Sequence, residues 1–151
     1  MFSKRYKSHH DASRNLKKRY TASTAGMESL PAVLAKNAES RRVIYLHIPF
    51  CNKICTFCPF HRPDELNRRE YHRYLIEEMH KIQRYCYMQA PIDAINFGGG
   101  TPTSLSPAQI KAILTELHRC FSIAPGADIS VDTSATGLSD EMIDVLMEGG
   151  V

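Results

Sequence analysis

The sequence predicts an α/β fold made of three successive βα units. Three observations carry that prediction. Short apolar runs alternate with stretches of helical period, each crossover is long enough to hold a helix, and the cysteine-rich and glycine-rich segments follow directly on apolar runs. Strands joined by helix-length crossovers run parallel, with connections of one hand. In such folds the chemistry gathers beyond the carboxyl ends of the strands.

Order begins at Val43. Val43-Ile44-Tyr45-Leu46 is a nearly continuous apolar run, the pattern of a strand buried on both faces, and Pro49 ends it. The first helix is expected from Asp64, as N-cap, to about Tyr87. Tyr71, Leu75, Met79, Ile82 and Cys86 fall on one stripe, while Arg69, Arg73, Glu77 and Lys81 lie largely off it. Cys86 on that stripe reads as a packed thiol. Ala94-Ile95-Asn96-Phe97 is the second strand and runs straight into Gly98-Gly99-Gly100. Ser106, Pro107 and Gln109 then spell a helix start as N-cap, first-turn proline and capping box. The stripe that follows is Ile110, Ile113, Leu114, Leu117 and Phe121, with Cys120 beside it as a structural thiol. Asp128 to Thr133 reads as the third strand, in which Ile129 and Val131 alternate with polar neighbours. Ser139 caps a third helix carrying Met142, Val145 and Leu146, and Gly149-Gly150 stops it.

A chain of 151 residues, 43% hydrophobic and 23% charged, has the composition of one ordinary globular domain and excludes wholesale disorder. No apolar run approaches the roughly 20 residues that span a bilayer, and the amino terminus lacks the apolar core of a secretory signal. No membrane span is therefore expected, and the expected location is cytoplasmic. Five cysteines, an odd number, with three packed into eight positions, suit metal ligation in a reducing compartment better than a disulfide framework. Residues 1–20 hold seven Lys or Arg and one acid, whereas residues 21–151 hold 12 bases and 15 acids. Residues 1–42 read as a basic, largely irregular extension; a mitochondrial transit peptide or a nucleic-acid tail has this composition too, but a solvated extension that takes no nucleic acid is the commoner explanation. Within it, Leu30-Pro31-Ala32-Val33-Leu34 is an apolar patch able to pack on the domain, and His9-His10 reads as a solvated pair.

The stretch Tyr45 to Phe60, YLHIPFCNKICTFCPF, places Cys51, Cys55 and Cys58 at C-x3-C-x2-C spacing. Three thiolates on so short a loop can hold three corners of a 4Fe–4S cluster and leave the fourth iron open. An open iron can chelate the amino and carboxylate groups of S-adenosylmethionine, and electron transfer then releases a 5′-deoxyadenosyl radical. His61, at C-x2-H spacing from Cys58, keeps a structural Cys3His zinc site, and hence a zinc-binding interaction module, as an alternative. His47, at the strand end beside the loop, is a hydrogen-bond donor or a structural partner. Glycines at 98 to 100 let backbone approach a ligand closely, and the missing Gly-Lys-Ser/Thr signature excludes a phosphate P-loop.

With these residues the chain resembles the radical S-adenosylmethionine superfamily, on C-x3-C-x2-C with Phe57 before the last cysteine. Tyr45-Leu46-His47-Ile48-Pro49-Phe50 before Cys51, and Gly98-Gly99-Gly100-Thr101-Pro102-Thr103 downstream, resemble its oxygen-independent coproporphyrinogen III oxidase group. That group also contains heme chaperones and anaerobic heme-degrading methyltransferases. The resemblance covers residues 43–151 and implies a partial (β/α)6 barrel of which these residues are the first three βα units, the amino-terminal half of the core domain. A fragment of a longer enzyme is therefore expected.

The resemblance further implies a 4Fe–4S cluster on Cys51, Cys55 and Cys58, and S-adenosylmethionine with its amino group against Gly98, Gly99, Gly100 and Thr101. Tyr45 and Phe57 would support the cluster and the adenine. Where the group's third strand carries Glu-x-Asn near the nucleoside, this chain has Asp132 and Ser134, so the acid is one methylene shorter and the asparagine is replaced. Implied partners are a tetrapyrrole substrate or heme and an electron donor such as flavodoxin or ferredoxin; no catalytic side chain is assigned. Decarboxylating oxidases of the group carry a further cysteine two residues after the third cluster cysteine, where this chain has Phe60. Heme chaperones begin their first strand near the amino terminus, whereas 42 residues precede Val43. The first difference counts against decarboxylation and the second favours the methyltransferase branch; a heme chaperone that binds heme and a cluster without turnover is the competing implication.

Overall fold

Three parallel strands pair in the order β1-β2-β3, with the helices between and after them packed on one face. The computed structural model describes residues 32, 41–53, 55–58, 68–85 and 90–151. Most of the basic extension, with His9, His10 and all of the Leu30–Leu34 patch but Ala32, lies outside the described residues, as do Phe60, His61, the Asp64 cap and Cys86. The elements are β1 (Val43–Ile48), α1 (Tyr71–Ile82), β2 (Ile92–Gly99), α2 (Pro107–Cys120), β3 (Ile123–Val131) and α3 (Asp140–Glu148). Short 3₁₀ turns at Pro102–Ser104 and Ala135–Gly137 follow β2 and β3. Among the described residues no helix is long and apolar enough to cross a membrane.

The register divides the sheet into two unlike faces, because side chains alternate along a strand while paired residues share a side. Ile44 pairs with Ile95 and Ile95 with Ile129; Leu46 pairs with Phe97 and Phe97 with Val131. These rows meet Met79 of α1, the Ile110, Ile113, Leu114 and Leu117 stripe of α2, and Met142, Val145 and Leu146 of α3. The opposite rows run from Val43 to Ala94 to Asp128 and from Tyr45 to Asn96 to Ser130. Val43 is 65% and Tyr45 55% exposed, so β1 is not buried on both faces as its apolar run predicts. The physical reason is that helices cover one face only, and nothing among the described residues covers the other.

Helix α2 starts as its sequence predicts. Ser106 Oγ accepts from the Gln109 amide at 3.3 Å and Gln109 Oε1 accepts from the Ser106 amide at 2.9 Å, a reciprocal cap. Gln109 Nε2 also donates to the carbonyls of Arg68 and Arg69, at 3.2 and 2.9 Å, tying this cap to the residues that lead into α1. Ser139 Oγ caps α3 by accepting from the Met142 amide. Strand β3 begins at Ile123 and ends at Val131, where Asp128 to Thr133 is predicted. Pro125 and Gly126, the latter at φ +77°, break the apolar pattern of its first half, and there the register slips between Ile92 and Ala94. Past its end, the Asp132 amide still donates to the Phe97 carbonyl at 2.8 Å.

Phe97 is 0% exposed at the centre of the sheet's covered face. Phe97→Ala should cost about 3–5 kcal/mol of unfolding free energy, read from the shift in a urea transition. On the outer layer, the Arg119 guanidinium first and then the His80 imidazole beside it hold the Glu116 carboxyl down at about 2. A folded pKa below the ordinary value of 4.5 means the stabilisation is complete above about 4.5 and is lost as pH falls through about 2. The Tm difference between the native chain and Glu116→Gln should therefore narrow as pH is lowered through that window.

Candidate metal and cofactor site

Pro49 takes the chain out of β1, yet the pairing with β2 continues beyond it. The Gly100 amide donates to the Ile48 carbonyl at 2.8 Å and the Thr101 amide to the Phe50 carbonyl at 2.7 Å. Ser104 Oγ donates to the same Phe50 oxygen at 3.2 Å. The buried Phe50 ring stands edge-on to Tyr71 of α1, centroids 5.1 Å apart, and Tyr71 Oη donates to the His47 carbonyl at 2.8 Å. Burial, then the nearby Glu78 carboxylate, pushes the Tyr71 phenol up, which keeps it a proton donor. The base of the cysteine loop is thus held from α1 on one side and from the glycine segment on the other.

Cys51 comes next in the chain and is half-buried; Thr101 Oγ1 lies 3.7 Å from its sulfur, positioned to donate to it. Cys55 is exposed and Cys58 half-buried, joined by a turn in which the Cys58 amide donates to the Cys55 carbonyl at 3.1 Å. All three are free thiols. Arg68 Nη1 donates to Asn52 Oδ1 at 2.7 Å, linking the loop to the approach to α1. Phe57 projects from the loop 85% exposed.

Two glycines are required by their surroundings. Gly99 has φ +108°, and a Cβ there would sit 2.8 Å from the His47 ring. A Cβ on Gly100 would sit 2.5 Å from the Phe50 carbonyl oxygen and 2.9 Å from Cys51 Sγ. Only a bare backbone fits between β2 and the first cysteine. Gly98 is flanked by the Tyr45 ring and the Asp132 carboxylate, which converge to 2.9 and 3.0 Å from the place its Cβ would take. Tyr45 Oη also meets His47 Nδ1 at 3.3 Å.

The predicted residues therefore form two touching groups: Cys51 with Gly100 and Thr101, and Tyr45, Gly98 and Asp132 with His47 beside them. Cys55 and Phe57 are exposed on the loop, and Cys58 is half-buried there. Missing from the sequence reading are Phe50 as the shared anchor, the Asn96 Nδ2 to Ser130 Oγ bond of 3.0 Å on the open face, and the Thr103 and Thr133 hydroxyls at 2.5 Å. Asn96 was findable, since it shares the strand parity of Tyr45's row; the threonine pair joins segments 30 residues apart and leaves no local signal.

Three free thiols on one short loop are a donor set that an iron–sulfur cluster accepts. A zinc ion with bonds of about 2.3 Å gathers thiolates to ~3.8 Å of one another. The three loop sulfurs do not all lie within 4.8 Å of each other; among the described residues His80, Glu116 and Cys120 do. A cubane takes each thiolate on a separate iron and so accepts the wider spread. Gly100→Ala should displace Phe50 and Cys51, costing about 1–3 kcal/mol and lowering iron retained per chain after reconstitution. Full iron retention in that variant would show that the close packing on Cys51 is dispensable.

The profile of the Radical SAM superfamily matches residues 45–151, from β1 through α3. The anaerobilin synthase of Escherichia coli O157:H7 is 36% identical over 113 residues, 73% of this chain and 25% of that protein. The heme chaperone HemW of Bacillus subtilis is 36% identical over 113 residues, 71% of this chain and 29% of that protein. The solved structure of Escherichia coli coproporphyrinogen III oxidase (HemN), described as a radical SAM enzyme, superposes with a TM-score of 0.69 at 25% identity. That match covers 91% of this chain and 34% of the oxidase, so the three βα units are part of the same fold. The chain spans about a quarter of the length of these curated relatives. With a profile match over most of its length and cysteine and glycine segments packed together at the carboxyl end of a parallel sheet, the chain belongs to the radical SAM superfamily.

Proposed function

We propose that the protein is a radical SAM enzyme of heme metabolism that acts on a tetrapyrrole. The observation that carries this reading is the packing of Gly100 and Thr101 directly on Cys51, which brings the cysteine loop and the glycine segment into one site. In this reading Cys51, Cys55 and Cys58 hold a 4Fe–4S cluster. Gly98, Gly99, Gly100 and Thr101, flanked by Tyr45 and Asp132, hold S-adenosylmethionine. When bound, that pair supplies a 5′-deoxyadenosyl radical.

What the chain's own residues contribute can be argued from their bonding. The amides of Gly100 and Thr101 are committed to the Ile48 and Phe50 carbonyls, so they are not donors for a ligand's anion. Such a segment suits an ammonium better than a phosphate. Asp132, beside Gly98, offers acceptor oxygens for the same ammonium or for ribose hydroxyls. Thr101 donates toward the Cys51 sulfur, and hydrogen bonds to ligating sulfur raise a cluster's potential by easing its negative charge. Phe57, exposed on the loop, would support the cluster and the adenine in this reading.

The tetrapyrrole rests on the names of the relatives, which include a coproporphyrinogen oxidase and an anaerobilin synthase. A reductant such as flavodoxin or ferredoxin, in the cytoplasm, completes the proposal. The second reading, a heme chaperone, is favoured by the equal 36% identity to HemW. Formation of 5′-deoxyadenosine coupled to consumption of a tetrapyrrole separates the two, since a chaperone transfers heme without it.

The test is anaerobic reconstitution with iron and sulfide, then electron paramagnetic resonance of the reduced chain with and without S-adenosylmethionine. A cubane signal perturbed by the cofactor is expected, abolished in Cys55→Ala and kept in Cys86→Ala. Bound zinc without sulfide, or iron lost from both variants, would overturn the ligand assignment.

A further inference from the structure

Helices α1 and α2 lie side by side, and their carboxyl ends return the chain to the amino ends of β2 and β3, away from the cysteine loop. There His80 of α1 meets Glu116 and Cys120 of α2, three half-buried side chains whose donor atoms all lie within 4.8 Å of one another. We propose that His80, Glu116 and Cys120 are a second metal site, for a borderline divalent cation of the zinc type, which fastens α1 to α2.

The ligand chemistry is one imidazole nitrogen, one carboxylate and one thiolate, a set zinc accepts at about 2.0–2.3 Å while keeping a fourth position for water. Glu116 and Cys120 are four residues apart on one helix, so both project from the same face of α2. His80 Nε2 lies 2.8 Å from Glu116 Oε2, and Cys120 Sγ lies 3.9 Å from that same oxygen. With two anionic ligands and one neutral one, a divalent cation leaves the site uncharged.

The present contacts also contain a conflict that a metal resolves. Arg119 Nη2 lies 2.7 Å from His80 Nε2, and because a guanidinium only donates, this contact needs a bare lone pair on that nitrogen. The same nitrogen lies 2.8 Å from a carboxylate oxygen, which only accepts and needs a hydrogen there. No single protonation state of His80 satisfies both neighbours. Arg119 donates through Nε to Glu116 at 2.8 Å, so its guanidinium is the cation these acceptors now share. It is an exposed side chain in an i,i+3 ion pair, a kind of contact that is easily given up. A divalent ion in its place takes the His80 lone pair, the carboxylate and the sulfur together. Burial pushes the Cys120 thiol up, so metal uptake there releases a proton.

The test titrates cobalt(II) into the full chain carrying Cys51→Ala, Cys55→Ala and Cys58→Ala, so the loop sulfurs contribute nothing. The expected result is one equivalent bound with a thiolate-to-cobalt charge-transfer band. The band should vanish in Cys120→Ser and in His80→Ala, each checked for unchanged helix content. Arg119→Gln, which keeps every ligand and removes the competing cation, should tighten binding by about tenfold, the effect of ~1.4 kcal/mol. No band, a band that survives Cys120→Ser, or weaker binding in Arg119→Gln would overturn the site.

Discussion

The ladder between β1 and β2 does not stop where the strands do, and the rest of the site depends on that. Two amides just past the end of β2, those of Gly100 and Thr101, reach the carbonyl of Ile48, the last residue of β1, and that of Phe50 beyond it. Each such bond contributes only about 1 kcal/mol net, but together they fix where Cys51 stands relative to Gly100 and Thr101. Phe50 is the residue through which both constraints pass: its carbonyl is bonded from the glycine side and its ring is packed from the α1 side. A loop anchored at its base can present three thiols from a short span without a core of its own.

The two faces of the sheet do different work because parallel pairing keeps residues of three separate units in common rows. The covered face is apolar and carries the stability of the domain. The open face carries Tyr45 bonded to His47 at 3.3 Å and Asn96 bonded to Ser130 at 3.0 Å, while Asp132 follows at the end of β3. These polar groups are exposed or half-buried, and among the described residues no buried side-chain nitrogen or oxygen lacks a partner. Such a surface is available to a ligand in a way that an apolar face is not.

Much of this was legible in the chain. The alternation of strand and helix, the capping box at Ser106 and Gln109, and the stripes of α1 and α2 are local patterns, and each is set by the spacing of apolar residues within one element. What was not legible depends on contacts between elements. The apolar run at Val43–Leu46 has the composition of a strand buried twice, but burial is decided by what covers each face. The third strand is expected only from Asp128, because nothing in the neighbourhood of Pro125 and Gly126 shows that β2 would hold them in register. The cysteine spacing pointed to a metal-binding loop; the reason Gly100 has no side chain became visible only with Cys51 Sγ beside it.

Cys51 and Thr101 are 50 residues apart in the chain, and their meeting has a consequence for biosynthesis. At a translation rate of about 5–20 residues per second, the thiols leave the ribosome several seconds before the segment that packs against them. During that interval the three sulfurs sit on a loop with no sheet partner and are open to oxidation or to stray metal. In the finished fold the base of the cysteine loop is bonded to the segment that follows β2, so its final position needs that segment in place. The nascent loop is therefore a different chemical object from the one that the finished domain presents.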